Sequence, residues 1–298
     1  MSDAQSHAAW LSTTVGVRRR DDLALIRVYD EDRRSWLNGQ ITNDISKLEP
    51  GGGVYALTVN LRGKILADLW VFDRGEELVL VVPKSARASL LAHYDRYIVM
   101  EDVEVEPLDG LVVLTAQGPR ARDLDIDGGH FANRLSSGGF DLLVSANDVV
   151  SQMSALVAQA KALGGGEVDE AGWEEARILA GVPRFGVDFG DATLPQEAGL
   201  ADRAVSFVKG CYLGQEVVCM LENRGKLRRR LVNLEAEAEL TVGGSIDLDG
   251  KSLGTVTSAL FRDGEARALG LLKAKASQPG TVLDVGGVPV VVRSAVGG

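Results

Sequence analysis

The sequence has few of the side chains that bind metal ions or form disulfides. It contains two cysteines in 298 residues, Cys211 and Cys219, and one pair of cysteines cannot cross-link a fold of this size. The three histidines, His7, His93 and His130, lie far apart and never approach the spacing of paired metal ligands. We therefore expect no metal site, neither zinc nor iron–sulfur, built within this one chain.

Long apolar segments and targeting signals are also missing. The longest apolar runs, such as residues 78–82, have the length of a strand, far below the roughly 18 residues of a membrane span. The first ten residues contain no basic stretch followed by an apolar one, so no signal peptide is predicted. We expect a cytoplasmic protein that does not enter a membrane.

Basic residues are outnumbered by acidic ones. The 32 lysines and arginines against 42 aspartates and glutamates give a net charge of −10 and a pI near 4.9. This excess argues against a broad nucleic-acid-binding surface, so we expect no strong direct binding of nucleic acid. Neither a Walker A motif nor a G-x-G-x-x-G motif after a strand occurs, which argues against the common nucleotide-binding loops.

Glycine between short apolar segments is abundant. The 35 glycines collect in turns, a pattern typical of a strand-rich α+β protein. We predict strands at residues 23–29, 54–60, 65–72, 77–82, 103–105 and 111–116. We predict helices after the acidic residues 30–32, at residues 84–97, after Asp148 and after Asp169.

The pattern changes near residue 230. Beyond it we find only short β-type runs, at roughly ten-residue spacing and separated by glycine turns, which favours a small antiparallel barrel or sandwich. We therefore predict two domains, residues 1–225 and residues 226–298.

The candidate nucleophile lies in residues 208–218, which read V-K-G-C-Y-L-G-Q-E-V-V. We predict a helix over residues 212–221. Cys211 would then lie at a helix N-terminus beside Lys209, and the helix dipole and the ammonium would both lower the pKa of its thiol. The alternative is that Cys211 is a small buried side chain. Cys219, within the helix, is expected to fill the core with a protonated thiol.

Two carboxylates are candidates for binding a ring with adjacent N–H groups, because a carboxylate can accept two adjacent N–H donors. Glu197 follows Pro195 in a loop, and the alternative is a solvated loop glutamate. Asp68 alternates with apolar residues on a half-buried strand, where an acid is costly unless it has a partner. Asn60 would face Asp68 across the predicted hairpin.

A family resemblance rests on five segments: residues 36–45 (W-L-N-G-Q-I-T-N-D-I), 63–68 (G-K-I-L-A-D), 177–188 (R-I-L-A-G-V-P-R-F-G-V-D), 194–200 (L-P-Q-E-A-G-L) and 208–218. The chain resembles the YgfZ-type folate-binding proteins, relatives of the aminomethyltransferase (T-protein) of the glycine cleavage system, and K-G-C-Y-x-G-Q-E is the signature of the YgfZ branch. The resemblance implies a three-lobed α+β fold, with two interleaved α+β lobes and a small C-terminal β-barrel. It also implies tetrahydrofolate or a derivative as the ligand.

The predicted site has a thiol part and a folate part. We predict Lys209 and Cys211 as the catalytic residues. The predicted folate-binding residues are Glu197, Asp68, Asn60, Arg184, Tyr212, Gln215, Glu216 and Arg224. The basic residues from Arg224 to residue 230 have three interpretations: they receive the glutamate tail of a folate, contact an RNA phosphate, or form a solvated strand.

The function that the resemblance implies is that of a folate-dependent accessory protein. It would support iron–sulfur cluster assembly or repair, and thereby tRNA modification, with iron–sulfur enzymes or assembly proteins as partners. The alternative is a tetrahydrofolate-dependent aminomethyltransferase, although Ala67 stands where the T-protein has the first of two adjacent aspartates. A third possibility is a thiol protein or scaffold that does not bind folate.

Overall fold

A computed structural model describes residues 3–224 and 226–297, without the side chains of residues 3–6, 223 and 224. The chain divides into two compact units, each discontinuous in sequence. Unit 1 consists of Met1–Val59, Leu66–Ala176 and Val208–Leu213, and unit 2 of Asn60–Ile65, Arg177–Phe207 and Gly214–Gly298.

The first ten strands form two five-stranded sheets. They are β1 (Gly16–Arg20), β2 (Leu23–Tyr29), β3 (Gly53–Val59), β4 (Ile65–Asp73), β5 (Glu77–Pro83), β6 (Glu104–Leu108), β7 (Leu111–Gln117), β8 (His130–Phe131), β9 (Gly139–Ser145) and β10 (Gly166–Glu167). One sheet has the order β10-β1-β7-β9-β8 and the other β3-β4-β5-β2-β6. Because the chain leaves the first sheet after β1 and returns to it at β7, the two sheets are interleaved along the sequence, as predicted.

The apolar run at residues 78–82 lies in the central strand of its sheet. Each of its five residues is buried in β5, which pairs with β4 and β2 on its two sides. Val79 and Val81 pack with Trp70 of the same sheet and with Val113 of β7 in one apolar cluster. The run is therefore strand core, and burial of its apolar surface stabilises the contact between the two sheets.

The helices are α1 (Asp3–Thr13), α2 (Arg33–Gln40), α3 (Arg87–Asp95), α4 (Val149–Ala162), α5 (Glu170–Leu179), α6 (Ala201–Ala204) and α7 (Gln215–Arg224). Asp169 caps α5, because its Oδ1 accepts a hydrogen bond from the backbone N–H of Gly172 at 2.8 Å. Asp148 and Asp32 precede α4 and α2, and both are acids that commonly cap helices, but neither makes a side-chain capping bond here. None of the helices in residues 3–224 and 226–297 is long and apolar enough to cross a membrane.

The helix predicted over residues 212–221 is displaced along the chain. It begins at Gln215 and ends at Arg224. Gly214 has φ +78°, a left-handed conformation that an α-helix does not contain, and it separates the helix from Cys211. The prediction that Cys211 lies at the helix N-terminus is therefore wrong.

The C-terminal strands form a closed barrel rather than a sandwich. They are β11 (Arg229–Ala236), β12 (Ser245–Leu248), β13 (Lys251–Arg262), β14 (Glu265–Lys273), β15 (Val282–Val285) and β16 (Val288–Ala295), in the order β11-β14-β13-β12-β15-β16. The α+β class and the C-terminal barrel are confirmed. The domain boundary between residues 225 and 226 stays a prediction, since Gly225 lies outside the described residues.

Candidate functional site

The predicted site residues fall into two sets. Unit 1 contains Asp68, Lys209, Cys211 and Tyr212. Unit 2 contains Asn60, Arg184, Glu197, Gln215, Glu216 and Arg224.

Lys209 is buried in unit 1 with its ammonium surrounded by oxygens. Its Nζ donates to the carbonyl oxygens of Asn38 at 2.6 Å, Asn43 at 2.6 Å and Ile41 at 2.9 Å, and lies 3.1 Å from Asn38 Oδ1. An ammonium has three N–H donors, so four oxygens within bonding distance satisfy it fully. We call this arrangement the Lys209 cage.

The charge on Lys209 is set by burial and by one acid. Burial lowers the pKa of the Lys209 amine to about 8, while the charge of Asp44 acts in the opposite direction. The amine is therefore mostly protonated at neutral pH. The Tyr212 ring lies on the same side of the segment, with its centroid 5.4 Å from Nζ.

Cys211 is exposed on the surface of unit 1, which excludes the alternative of a buried core thiol. The helix N-terminus and the free ammonium that were predicted beside this thiol are both placed differently in the structure. The helix begins beyond Gly214, and the ammonium of Lys209 donates its hydrogen bonds to residues 38–43. Cys219 is half-buried, and burial followed by the charge of Glu222 raises the pKa of its thiol, in the expected direction.

Asp68 has one oxygen without a partner. Tyr55 Oη donates to Asp68 Oδ2 at 2.9 Å, whereas Oδ1 is inaccessible to solvent and makes no hydrogen bond among the described residues. Burial raises the pKa of the Asp68 carboxyl, against the hydrogen bond from Tyr55 and the charge of Arg134. Because a buried polar atom without a partner is costly, this oxygen fits a ligand that supplies a hydrogen bond.

Glu197 is a buried carboxylate of unit 2. It is 3 % exposed, so the alternative of a solvated loop glutamate is excluded. Its Oε2 accepts from the backbone N–H of Leu194 at 3.1 Å and lies 3.4 Å from both Lys64 Nζ and Arg229 Nη2. Its backbone carbonyl accepts from the N–H of Leu231 at 2.8 Å, which ties the loop to the first barrel strand.

Asn60 shapes the tip of the β3–β4 hairpin. Its Oδ1 accepts from the backbone N–H groups of Arg62 at 2.9 Å and Lys64 at 3.1 Å. Gly63 has φ +69°, the left-handed conformation that this turn requires. The prediction that Asn60 faces Asp68 across the hairpin is wrong, because the N–H of Asn60 donates to the carbonyl of Lys64 at 2.9 Å, whereas Asp68 contacts Tyr55. The amide oxygen of Asn60 is used in the turn, and its role toward a ligand stays a prediction.

The remaining candidates of unit 2 lie on the loop after α5 and at α7. Arg184 is half-buried, and its backbone N–H donates to Asp188 Oδ2 at 2.9 Å. Gln215 is half-buried and Glu216 is exposed in the first turn of α7, where an acid is favourable to the helix dipole. The side chain of Arg224 lies outside the described residues. Their ligand roles stay predictions.

A buried ion-pair network occupies the segment at residues 177–188. Arg177 Nη1 donates to Asp188 Oδ2 at 2.9 Å, and Arg177 Nη2 donates to Ser258 Oγ at 2.8 Å. Asp188 Oδ1 accepts from Thr257 Oγ1 at 2.6 Å and Ser258 Oγ at 2.7 Å. The unusual sequence of this segment is therefore explained by its attachment to β13.

Sequence reasoning missed several residues at these sites. Asn38 and Asn43 lie within the segment at residues 36–45, whose unusual composition was the available signal. Tyr55 is on a predicted strand and carried no signal of its own. Among the side chains that the structure describes, no group of three or more His, Cys, Asp or Glu is placed to hold a metal ion.

Two parts of the chain match known domain families. Residues 3–125 match the GCVT N-terminal domain, and residues 228–295 match the CAF17 C-terminal beta-barrel domain. The crystal structure of the glycine cleavage system aminomethyltransferase T from Bartonella henselae superposes with a TM-score of 0.85 over 98 % of this chain and 88 % of that one, at 20 % identity. The protein therefore has a GCVT-like α+β fold with a CAF17-type barrel.

Several curated proteins are similar to this chain over most of its length. The tRNA-modifying protein YgfZ of Aliivibrio fischeri (strain MJ11) is 28 % identical over 274 residues, covering 86 % of this chain and 84 % of the relative. A putative chloroplastic transferase of Arabidopsis thaliana is 27 % identical over 291 residues, covering 88 % of this chain and 66 % of the relative. The chain is similar to the YgfZ proteins over most of its length, and the resemblance drawn from its motifs is confirmed.

Proposed function

We propose that the protein is a folate-binding accessory factor of tRNA modification that supports iron–sulfur cluster assembly or repair through Cys211. The name of its YgfZ relatives, tRNA-modifying proteins, supports the tRNA part of this proposal. The exposed thiol of Cys211, accessible to a macromolecule, supports the part that concerns iron–sulfur enzymes or assembly proteins.

The observation that carries the folate part is the unpartnered Oδ1 of Asp68. A pterin ring presents adjacent N–H donors, and a carboxylate held by Tyr55 on one oxygen retains the other for such a donor. A reduced folate would supply a carrier for a one-carbon unit when bound. The chain's own contribution in this proposal is to orient the ring through Asp68 and Tyr55.

A fluorescence titration tests this proposal. Tetrahydrofolate and its 5-formyl derivative are expected to bind, and free glutamate is not. Asp68→Asn is expected to weaken binding more than tenfold, about 1.4 kcal/mol, since the amide presents a donor toward the ring N–H. Asp148→Asn, an exposed acid of the same unit, is the matched control and should bind normally. Normal binding by the Asp68 variant, or none by the wild type, would contradict the folate assignment.

Complementation tests the thiol part separately. In cells that lack the chromosomal gene, Cys211→Ala is expected to fold but to leave the modified nucleosides of total tRNA at the level of the deletion. Cys219→Ala is the control with a half-buried thiol and should restore them. Full restoration by Cys211→Ala would refute a functional thiol.

A further inference from the structure

The burial pattern of residues 208–212 is inverted relative to ordinary side-chain chemistry. Val208, an apolar residue, is 95 % exposed, whereas Lys209, a charged one, is 9 % exposed. Cys211 is exposed and Tyr212 is buried. Lysine is rarely buried without a partner, and an isolated exposed valine contributes nothing to the core. The segment is therefore held by its lysine and tyrosine and presents Val208 and Cys211 outward.

The Lys209 cage ties this segment to the last turn of α2 and to the chain immediately after it. Three of its four oxygens are main-chain carbonyls of Asn38, Ile41 and Asn43, so the ammonium binds backbone and not a mobile side chain. A second tie runs in the same direction, because the N–H of Leu213 donates to the carbonyl of Gly39 at 3.0 Å.

The oxygens of the cage are themselves fixed. Thr42 exchanges two hydrogen bonds with Leu57 of β3, its N–H donating to the Leu57 carbonyl and its Oγ1 accepting from the Leu57 N–H, both at 2.9 Å. Asn43 Nδ2 donates to the carbonyl of Tyr55 at 2.8 Å, and Asn38 Oδ1 accepts from the N–H of Ile45 at 3.0 Å. The residues that supply the cage oxygens are thus held by hydrogen bonds to β3 and to Ile45.

We propose that Lys209 is a positioning residue, whose ammonium fixes the exposed Cys211 segment to the backbone of residues 38–43 and so sets the place from which the thiol meets its partner. This inference rests on the proposed role of Cys211. The N–H donors of Lys209 are directed to the oxygens of the cage, which holds the segment in place. A thiol that must reach a site on a large partner benefits from a fixed origin, because flexibility at the tip has to be lost on binding.

A nitroxide attached to Cys211 in a Cys219→Ser background measures this positioning directly. Lys209→Ala is expected to raise the mobile fraction of the electron spin resonance spectrum at least threefold. Ethylammonium, which carries the same three N–H donors as the deleted ammonium, is expected to reverse at least half of the change. Tetramethylammonium at the same ionic strength has no N–H donor and should not. Lys47→Ala, an exposed lysine of the same unit, is the matched control and should leave the spectrum unchanged.

Thiol alkylation separates positioning from electrostatic activation. The pH midpoint of Cys211 alkylation is expected to move by less than 0.3 unit in Lys209→Ala, whereas a lysine that stabilises the thiolate would shift it upward by more than one unit. If Lys209→Ala folds poorly, Lys209→Gln, which retains two N–H donors, replaces it. Its nitroxide spectrum should lie between those of the wild type and Lys209→Ala.

An unchanged spectrum in Lys209→Ala, or an upward shift of the alkylation midpoint by more than one unit, would overturn the inference. Both readouts are independent of complementation. If Cys211→Ala restores tRNA modification in cells, the proposed function is refuted. The nitroxide spectra of the Lys209 variants, which are recorded with Cys211 present, are a separate result.

Discussion

Replacing Asp188 with alanine removes the acceptor of the buried network in unit 2. Its two oxygens accept from Arg177, from the N–H of Arg184 and from the hydroxyls of Thr257 and Ser258, all at 2.6–2.9 Å. The guanidinium of Arg177 would remain buried and would lose the carboxylate that accepts from its Nη1, while Ser258 and the carbonyl of Val182 stay in place. Breaking a buried ion pair from one side costs about 3–5 kcal/mol, and we expect Asp188→Ala to lie in this range.

The reciprocal change should cost less. Arg177→Met removes the hydrogen bonds of the guanidinium to Asp188 and Ser258 but leaves Asp188 with its other three donors. We therefore expect a loss of about 2 kcal/mol, within the range for hydrogen bonds to charged groups. Because the two residues share a network, the double variant should lose less than the sum of the two single losses. Glu265→Ala is the control, since it removes an exposed partner of Arg267 in the same unit and should cost at most about 1 kcal/mol.

Urea unfolding followed by two probes measures these losses. The tryptophans, Trp10, Trp36, Trp70 and Trp173, all lie in unit 1, so their fluorescence reports that unit, while far-UV circular dichroism reports both units. The loss in Asp188→Ala is expected in the circular dichroism transition. A loss below about 1 kcal/mol, or equal losses in Asp188→Ala and Glu265→Ala, would refute the reasoning.

Three other outcomes are expected. Glu197→Ala should weaken folate binding more than tenfold, about 1.4 kcal/mol. Glu197→Gln keeps an acceptor for the Leu194 N–H, so it should preserve the fold and separate binding from stability. Normal binding by both variants in the titration would remove Glu197 from the site. Assayed with an aminomethylated carrier protein and tetrahydrofolate, the protein should release no ammonia, because Ala67 replaces one acid; robust turnover would instead favour the aminomethyltransferase. Burial raises the pKa of Asp22, but the hydrogen bonds and the charge of Arg20 lower it to about 2. The lowered pKa contributes about 1 kcal/mol to the stability of the fold, a value discounted for the partial exposure of the side chain. This contribution should be present above about pH 4 and lost as the pH falls toward 2. Asp22→Asn should lack this acid-dependent step in pH-dependent urea unfolding, and an unchanged step would assign it to another group.

The architecture was largely predictable because its signals are local. Short apolar runs separated by glycines every ten residues or so specify the strands of the barrel, and the turn around Gly63 specifies the β3–β4 hairpin. The displaced helix shows where such signals fail. Tyr212 and Leu213 continue the apolar pattern of α7 toward its N-terminus, but the left-handed backbone of Gly214 interrupts it.

The candidate site was less predictable because its contacts are distant in sequence. Asn38 and Lys209 are separated by 171 positions, and no periodicity links them. The burial of Glu197 depends on Lys64 and Arg229, which neighbouring residues in the sequence do not reveal. By contrast, the local motif was enough to predict Cys211 as a site residue, and this stays a prediction. The predicted helix N-terminus at Cys211 was wrong.

The discontinuity of the two units has a consequence for biosynthesis. The chain passes from one unit to the other five times, and the last piece of unit 1 to leave the ribosome is Val208–Leu213, the segment that contains Lys209. Until then the carbonyls of Asn38, Ile41 and Asn43 have no ammonium to bind. The neighbouring strand β3 ends about 150 residues before Lys209, and at ~5–20 residues per second this distance corresponds to a delay of several seconds or more. A nascent chain arrested before Lys209 therefore has both sheets but lacks the cation that completes the loop after α2. The same segment that presents the thiol thus completes unit 1, and no single proteolytic cut can release either unit as one continuous polypeptide.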